Sequence, residues 1–253
     1  MKKYRLILCT FSILGLTLTS CDPSVDSPGE DNTSEITLLP LISLEGGDIV
    51  LDCDTTTSYS DPGAAASAGG SPIELETKVS GKYFGGTSVN DGPDSYSVSY
   101  SAFNDDGIPA SEFRSVLYPE CNGDLVTSIA GMYTGTVARD GSTPDGYADN
   151  GPFIIKDLGD DRYAISDAQG GWYEYGRALG VTYATPGLVV KANNIAANDF
   201  TAEGTVTTNT FGGDNTFVSL IVDPVAKTLT LTVDWSFGFQ FVTTFTQTDT
   251  YYN

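Results

Sequence analysis

Residues 228–241 read Thr-Leu-Thr-Leu-Thr-Val-Asp-Trp-Ser-Phe-Gly-Phe-Gln-Phe, and every second side chain among them is apolar. A period of two is typical of an antiparallel strand with one buried face, because successive side chains of a strand point to opposite sides. One unbroken strand of this length would extend roughly 45 Å, which is longer than usual. We therefore expect a bend or turn near residues 236–238, and we place Trp235 in the core.

Strand patterns also dominate the rest of the chain, and no window of eleven residues has a convincing helical period. Further short strands are predicted near residues 129–137, 153–155, 163–166, 188–190, 200–207 and 216–222. This spacing indicates a lipocalin-like meander that closes into an antiparallel barrel or a flattened sandwich over residues 124–253. In the N-terminal half, Tyr96, Val98, Tyr100 and Ala102 alternate with serines. The predicted fold class is all-β, with a first β-sandwich over residues 33–119.

The N-terminus has the layout of a secretory signal peptide over residues 1–20. Lys2, Lys3 and Arg5 precede an apolar run over residues 6–18 and then small residues. The following Leu-Thr-Ser-Cys at residues 18–21 resembles the bacterial lipobox, which makes Cys21 the expected lipid attachment site, carrying acyl chains such as palmitate. Cleavage at an ordinary site, with Cys21 left free, is the alternative. Residues 21–32 are polar, acidic and rich in Pro and Gly, so we expect a flexible tether there.

Acidic residues greatly outnumber basic ones. The full chain has 12 Lys and Arg residues against 33 Asp and Glu. Three of the basic residues lie in the leader, so the mature chain has nine basic against 33 acidic residues, a net charge of −24. A field of this sign repels polyanions, and the Lys and Arg patches that bind phosphates are absent. The composition excludes nucleic acid as a partner and leaves membrane attachment to the lipid.

The chain contains no histidine. This removes the commonest general base, the Ser-His-Asp and Cys-His arrangements and most zinc sites. A pair of carboxylates is still sufficient for a glycosidase. Because no catalytic motif is present, we expect a protein that is not an enzyme and keep a carboxylate-based glycosidase as an alternative.

Two cysteines, Cys53 and Cys121, remain once Cys9 leaves with the leader and Cys21 is acylated. An oxidising compartment favours a disulfide between them, which would close a loop of about 68 residues. Two separate thiols are the alternative, because the sequence does not determine the distance between the two residues.

Several segments of the first block resemble the bacterial immunoglobulin-like domain that occurs as a spacer in surface proteins. They are residues 40–47, the Tyr-Ser-Asp-Pro-Gly-Ala stretch at 59–64, Gly81, residues 94–102, the Asp-Asp-Gly at 105–107 and a last strand at 114–116. The resemblance implies an immunoglobulin-like sandwich that holds a second domain away from the membrane. The Asp-Pro-Gly element is equally well explained as a turn.

The second block looks like the C-terminal β-domain of small Bacteroidetes outer-surface lipoproteins found beside glycan-uptake genes. The matching segments are Gly-Met-Tyr-Thr-Gly-Thr at residues 131–136, Asp-Ala-Gln-Gly-Gly-Trp-Tyr-Glu-Tyr-Gly-Arg at 167–177, and Gly180. The resemblance implies a lipid anchor in the outer membrane, at the cell surface, and a link to glycan or nutrient uptake. It brings no catalytic residues.

Residues 170–177 are the densest candidate for a ligand-binding site. They contain Trp172, Tyr173 and Tyr175 beside Glu174 and Arg177. An exposed aromatic ring stacks on the C–H face of a sugar, while nearby charged groups hydrogen-bond its hydroxyls. In the alternative interpretation, Trp172 plugs one end of a barrel and Arg177 pairs with Glu174 or another acid. If the segment is a strand, only some of the aromatic rings can face solvent.

Three acidic loops have the oxygen ligands that calcium prefers. They contain Asp140, Asp145, Asp149 and Asn150; Asp105 and Asp106; and Asp160 and Asp161. None has a known calcium-loop spacing, and Asp and Asn are ordinary turn formers, so we predict no metal site or cofactor and keep calcium binding by these loops as the alternative. The expected function is a non-catalytic surface module that binds a glycan or another nutrient. An interaction lipoprotein that docks on an outer-membrane transporter is the alternative.

Overall fold

The computed structural model describes residues 36–54 and 58–250, and it confirms the all-β prediction. The first seven strands are β1 (Pro40–Leu44), β2 (Ile49–Val50), β3 (Ala64–Ala68), β4 (Ser71–Pro72), β5 (Glu76–Gly81), β6 (Asp94–Phe103) and β7 (Pro109–Tyr118). The other nine are β8 (Gly131–Arg139), β9 (Asn150–Gly159), β10 (Arg162–Ile165), β11 (Leu188–Asn194), β12 (Asp199–Ala202), β13 (Val206–Thr207), β14 (Asp214–Asp223), β15 (Thr228–Trp235) and β16 (Phe239–Gln247). The predicted leader, Cys21 and the tether lie outside the described residues.

Strands β1–β7 form two small sheets, which we call the N-terminal sandwich. One sheet has the order β1-β3-β4 and the other the order β2-β7-β6-β5. Tyr96, Val98 and Tyr100 of β6 are buried and pack with Ile42 and Leu44 of β1. The alternation predicted for β6 is confirmed, because its apolar side chains are buried and the serines between them are not. Assignment to the immunoglobulin-like class stays a prediction.

A buried arginine occupies the centre of this sandwich. Arg114 of β7 has no exposed surface, and its guanidinium forms an ion pair with Asp61. Asp61 also accepts a hydrogen bond from the Tyr59 hydroxyl at 2.8 Å. Burial raises the pKa of Asp61, but the hydrogen bonds from Tyr100 and Tyr59 and the nearby arginine outweigh burial, so the pKa is lowered. The Asp-Pro-Gly turn therefore supplies the carboxylate that neutralises a buried arginine.

Strands β8–β16 form a single antiparallel sheet that curls into a half-barrel. The strand order is β12-β11-β10-β9-β8-β16-β15-β14-β13, so the consecutive strands β12 and β13 lie at opposite edges. Residues 203–205 connect these two edges. A hydrogen bond also links the two sides of the sheet: the Val222 N–H of β14 donates to Asn198 Oδ1 in the β11–β12 turn at 2.7 Å. The single strand predicted over residues 200–207 is wrong because the chain turns away at Gly204, which has a φ of +98°.

The hairpin of β15 and β16 accounts for the long alternating segment. Trp235 pairs with Phe239 across a tight turn in which Gly238 has a φ of +86°. Trp235 is buried, and the inward-facing side chains Leu231, Phe241 and Phe245 are also buried. Both the turn near residues 236–238 and the core position of Trp235 are confirmed.

The sandwich and the half-barrel share an apolar contact. Met132 of β8 and Ile154 of β9 pack with Ala184 and with Tyr83 of the sandwich. A disulfide joins Cys53, which follows β2, to Cys121, which lies between β7 and β8; their Cα atoms are 5.0 Å apart. From Leu38 onward the chain forms one compact unit. Within the described residues, no helix is sufficiently long and apolar to cross a bilayer.

Candidate functional site

The segment predicted to bind a ligand lies in the connection between β10 and β11. It forms a π-helical turn over Trp172–Gly176 instead of a strand. Gly170 and Gly171 precede the turn with φ values of +60° and +74°, a region that suits glycine. A Cβ on Gly170 would collide with Thr243, and one on Gly171 with Phe153. The Gly-Gly pair therefore lets the backbone enter the open end of the half-barrel.

The Trp172 ring lies inside the half-barrel and not at its surface. Only 3% of the residue is exposed. Its ring centroid is 4.2 Å from that of Tyr147 and 5.8 Å from that of Phe241. A ring enclosed in this way offers no free face to a sugar, so this part of the site corresponds to the alternative in which Trp172 plugs the barrel end. Tyr173 is also buried, although it lies closer to the rim.

Glu174 and Tyr175 face the N-terminal sandwich. The Tyr83 hydroxyl donates to Glu174 Oε1 at 2.7 Å, the Tyr83 and Tyr175 hydroxyls are 3.1 Å apart, and the Tyr175 hydroxyl donates to the Pro152 carbonyl at 3.2 Å. Burial, together with the nearby Asp167 charge, raises the pKa of Glu174 to about 8, although the hydrogen bond from Tyr83 lowers it. The carboxyl therefore keeps its proton at neutral pH.

Asp167 belongs to a buried polar cluster behind this turn. Burial raises its pKa to about 7, and it accepts a hydrogen bond from the Gln169 N–H at 2.8 Å. The Gln169 side-chain amide donates to Asn215 Oδ1 at 2.7 Å and to Thr208 Oγ1 at 3.1 Å. These groups hold the long β10–β11 connection in place. Asp167 and Glu174 are 1% and 7% exposed, so both carboxyls are enclosed by the protein.

Arg177 is the exposed member of the predicted set. Its guanidinium carbon lies 5.7 Å from the Tyr173 ring centroid. The expected pairing with Glu174 does not occur: among the described residues the ion pairs are Arg114 with Asp61 and Arg162 with Glu203. Arg177 therefore covers an aromatic ring and leaves its N–H groups toward solvent.

A group of aromatic rings, which we call the aromatic end, extends from Tyr173 to the surface. Its members are Tyr173, Tyr183, Phe211, Trp235, Phe237 and Phe239. The Phe211 centroid is 4.8 Å from that of Tyr173 and 5.0 Å from that of Tyr183, and Phe237 is 4.6 Å from Trp235. Phe211 is 43% exposed and Phe237 is 55% exposed. Here the half-barrel presents partly exposed aromatic rings.

Hydrogen bonds to backbone carbonyls tie down the loop over residues 208–213 of the aromatic end. The Trp235 Nε1–H donates to the Gly212 carbonyl at 3.2 Å, and the Asn209 N–H donates to the Ala184 carbonyl at 3.0 Å. The Thr210 hydroxyl donates to the Thr182 carbonyl at 2.6 Å. The loop that carries Phe211 is therefore positioned before any ligand arrives, which lowers the entropic cost of binding.

Sequence reasoning located Tyr173 and Arg177 but missed Phe211 and Phe237. Both missed residues sit next to glycines in turns, where a side chain is free to point outward. The Phe-Gly-Gly at residues 211–213 was the available signal, whereas Phe237 was included in the alternating strand pattern.

The acidic loops act as turns in this structure. Asp140, Asp149, Asp160 and Asp161 all have positive φ values, between +50° and +58°. Asp and Asn tolerate this conformation better than most residues. No group of three or more Asp, Glu or Cys side chains arranged for a metal ion occurs within residues 36–54 and 58–250.

Two clefts lie away from the aromatic end. One, of about 450 Å³, is lined by Glu74, Leu75, Glu76, Ser101, Ala102 and Phe103 at the edge of the sandwich. The other, of about 180 Å³, is lined by apolar residues including Leu125, Ile195 and Val222 at the far end of the half-barrel.

Comparison with known proteins supports the fold of this chain. Residues 122–247, just under half of the chain, match a family model described as a C-terminal domain. The crystal structure of the lipoprotein BT2262 from Bacteroides thetaiotaomicron superposes with a TM-score of 0.53 and 22% sequence identity, covering 83% of this chain and all of that one. This chain shares its fold with that lipoprotein. No curated protein sequence is detectably similar to this chain.

Proposed function

We propose that this protein is a lipid-anchored, non-catalytic binding module at the outer surface of a bacterial outer membrane, accessory to the uptake of glycans or other nutrients. The observation that carries this proposal is the aromatic end. Phe211 and Phe237 are partly exposed, and the Arg177 guanidinium lies against Tyr173, the ring that Phe211 contacts.

This combination suits a saccharide. The C–H face of a sugar ring stacks on an aromatic face, and the hydroxyls at its rim accept hydrogen bonds from a guanidinium. The site differs from the one expected around Trp172, because Trp172 and Glu174 lie behind it and support it. Tyr173 and Arg177 remain part of it.

The lipid anchor rests on the leader and on Cys21 within Leu-Thr-Ser-Cys. The shared fold with a Bacteroides lipoprotein agrees with this assignment. Mass spectrometry of the native protein tests it: we expect the peptide that begins at Cys21 to carry acyl chains. A bare thiol at Cys21 or an uncleaved leader would contradict the anchor and the surface location.

Several observations support a non-catalytic role. The chain has no histidine. The two carboxyls whose pKa values burial raises to about 7 and about 8, Asp167 and Glu174, are enclosed in the protein and hydrogen-bonded to it. A glycosidase needs two carboxyls that face each other across an open cleft.

Docking on an outer-membrane transporter is a second candidate function. It is favoured by Leu179, which is exposed next to the aromatic end and enlarges its apolar area. Exposed aromatic and aliphatic side chains beside an arginine are also typical of protein interfaces.

A glycan array tests the first candidate. We expect the soluble form, residues 22–253, to bind at least one saccharide, and Phe237→Ala to weaken that binding about tenfold or more. Phe113→Ala is the matched control, since Phe113 is 65% exposed on β7, outside the aromatic end. An array without binders, or equal binding by the Phe237→Ala variant, would overturn saccharide binding at this place. Recovery of a transporter from solubilised membranes by the wild type but not by Phe237→Ala would establish the second candidate.

A further inference from the structure

The two arginines at the open end of the half-barrel lack the acidic partners that arginines usually have. The mature chain has four arginines, and acidic residues outnumber basic ones 33 to nine. Arg114 and Arg162 pair with Asp61 and Glu203. Within the described residues Arg139 and Arg177 form no ion pair, although carboxylates are abundant.

Both unpaired arginines stack on aromatic rings of one continuous cluster. The Arg139 guanidinium carbon lies 4.7 Å from the Trp172 centroid and 4.5 Å from the Phe239 centroid. The Arg177 guanidinium carbon lies 5.7 Å from the Tyr173 centroid. Stacking engages the face of a guanidinium and leaves the N–H donors at its edge. Arg177 is exposed, so its donors are accessible to a ligand.

Three acidic residues at the same end of the sheet are hydrogen-bonded to neutral donors. Asp140 Oδ1 accepts from the Gln240 N–H at 2.9 Å, and Asp234 Oδ1 accepts from the Gln240 side-chain amide at 2.9 Å. Asp214 Oδ1 accepts from the Thr207 hydroxyl at 3.0 Å. These carboxylates are held by the loops themselves, so they leave the guanidinium edges open.

The large negative charge of the chain limits which anionic ligands can bind, but it does not exclude all of them. Exposed charges are screened beyond roughly 8 Å at physiological salt, so a group in contact with Arg177 responds mainly to the local field. A long polyanion would still meet the surrounding carboxylates. A ligand with one acidic group, presented at a chain end, avoids that repulsion.

We infer that the aromatic end recognises a saccharide that carries a single carboxylate, such as a terminal uronic acid. Its sugar face lies on Phe211 or Phe237, and its carboxylate accepts paired hydrogen bonds from the Arg177 guanidinium, whose planar fork matches a carboxylate. This inference rests on the proposed function, because it specifies the ligand class of the same site.

The test compares acids with their methyl esters. Oligosaccharides that end in glucuronate, galacturonate or mannuronate are titrated into the soluble protein by calorimetry, each beside its methyl ester. We expect the wild type to prefer at least one acid over its ester by about tenfold or more, the size of a charge-assisted pair. Arg177→Gln should abolish the preference, and Arg177→Lys should retain part of it. Lys227→Gln is the control, because Lys227 lies in the β14–β15 turn at the opposite end.

The outcomes separate this inference from the proposed function. If acids and esters bind equally and Phe237→Ala weakens both, the carboxylate specificity is overturned and saccharide binding stands. If Arg177→Gln leaves the preference unchanged, the assignment to Arg177 is overturned. If neither these probes nor the neutral saccharides of the array bind, both proposals are overturned.

Discussion

Glu174 connects the half-barrel to the sandwich by accepting a hydrogen bond from the Tyr83 hydroxyl at 2.7 Å. Burial raises its pKa from 4.5 to about 8. A carboxyl whose pKa is higher in the folded than in the unfolded chain contributes stability that is fully present below pH 4.5. That contribution is lost as the pH rises through about 8.

We therefore expect the free energy of unfolding to fall as the pH rises from about 4.5 to 8, by at most about 1.4 kcal/mol per pH unit for this group. Asp167, whose folded pKa is about 7, adds to the fall at lower pH. Glu174→Gln keeps a side-chain oxygen that accepts from the Tyr83 hydroxyl and does not ionise, so it should reduce the decline between pH 7 and 8. Urea titrations at several pH values measure this.

Glu76→Gln is the control for that experiment, because Glu76 is exposed on β5. It should leave the slope of stability against pH unchanged. A Glu174→Gln variant with the wild-type slope between pH 7 and 8 would show that Glu174 is ionised at neutral pH.

At the level of elements, the loop over residues 208–213 carries the exposed Phe211. Gly213 of this loop lies directly against the β15–β16 hairpin. A Cβ on Gly213 would be 2.6 Å from Trp235 Nε1, whereas a Cβ on Gly212 meets nothing within 4 Å. The two glycines have similar φ values, +78° and +71°. They differ mainly in how close the loop comes to Trp235.

This pair gives a matched test of the loop. Gly212→Ala and Gly213→Ala should both lose roughly 1 kcal/mol of stability through backbone strain. Gly213→Ala should lose about 1 to 3 kcal/mol more through overpacking and shift the fluorescence of Trp235. Equal stability and equal emission spectra for the two variants would contradict the close contact.

The sequence predicted some elements well and others poorly, for physical reasons. The alternation over residues 228–241 predicted β15, β16 and their turn, because one buried face leaves a period of two. It could not show that β12 and β13 lie at opposite edges, since edge position depends on pairing partners distant in the sequence. The π-helical turn over Trp172–Gly176 was equally inaccessible, because it is imposed by packing inside the half-barrel.

The candidate site also depends on contacts between residues that are distant in the sequence. Residues 170–177 were selected for their aromatic content, yet burial by Tyr147 and Phe241 makes Trp172 part of the core. Burial of one ring against distant residues is not encoded in local spacing. Arg177 and Tyr173 were predicted to lie side by side, and they do so because they belong to the same short turn.

For the whole molecule, the sandwich and the half-barrel are joined by the Tyr83 contacts and by the Cys53–Cys121 disulfide. We expect the soluble protein to unfold in urea in a single transition. Both tryptophans, Trp172 and Trp235, lie in the half-barrel, so their fluorescence reports that part alone, whereas far-ultraviolet circular dichroism reports both. Coincident midpoints would confirm coupling, and two separated midpoints would show that the parts unfold independently.

Amide hydrogen exchange with and without a saccharide identified on the glycan array tests the central claim most directly, because it locates binding without changing any residue. Binding at the aromatic end predicts slower exchange in residues 177–183, 209–213 and 236–239, with no change around residues 74–76 and 101–103. Protection confined to the sandwich cleft, or no protection at saturating saccharide, would contradict the claim.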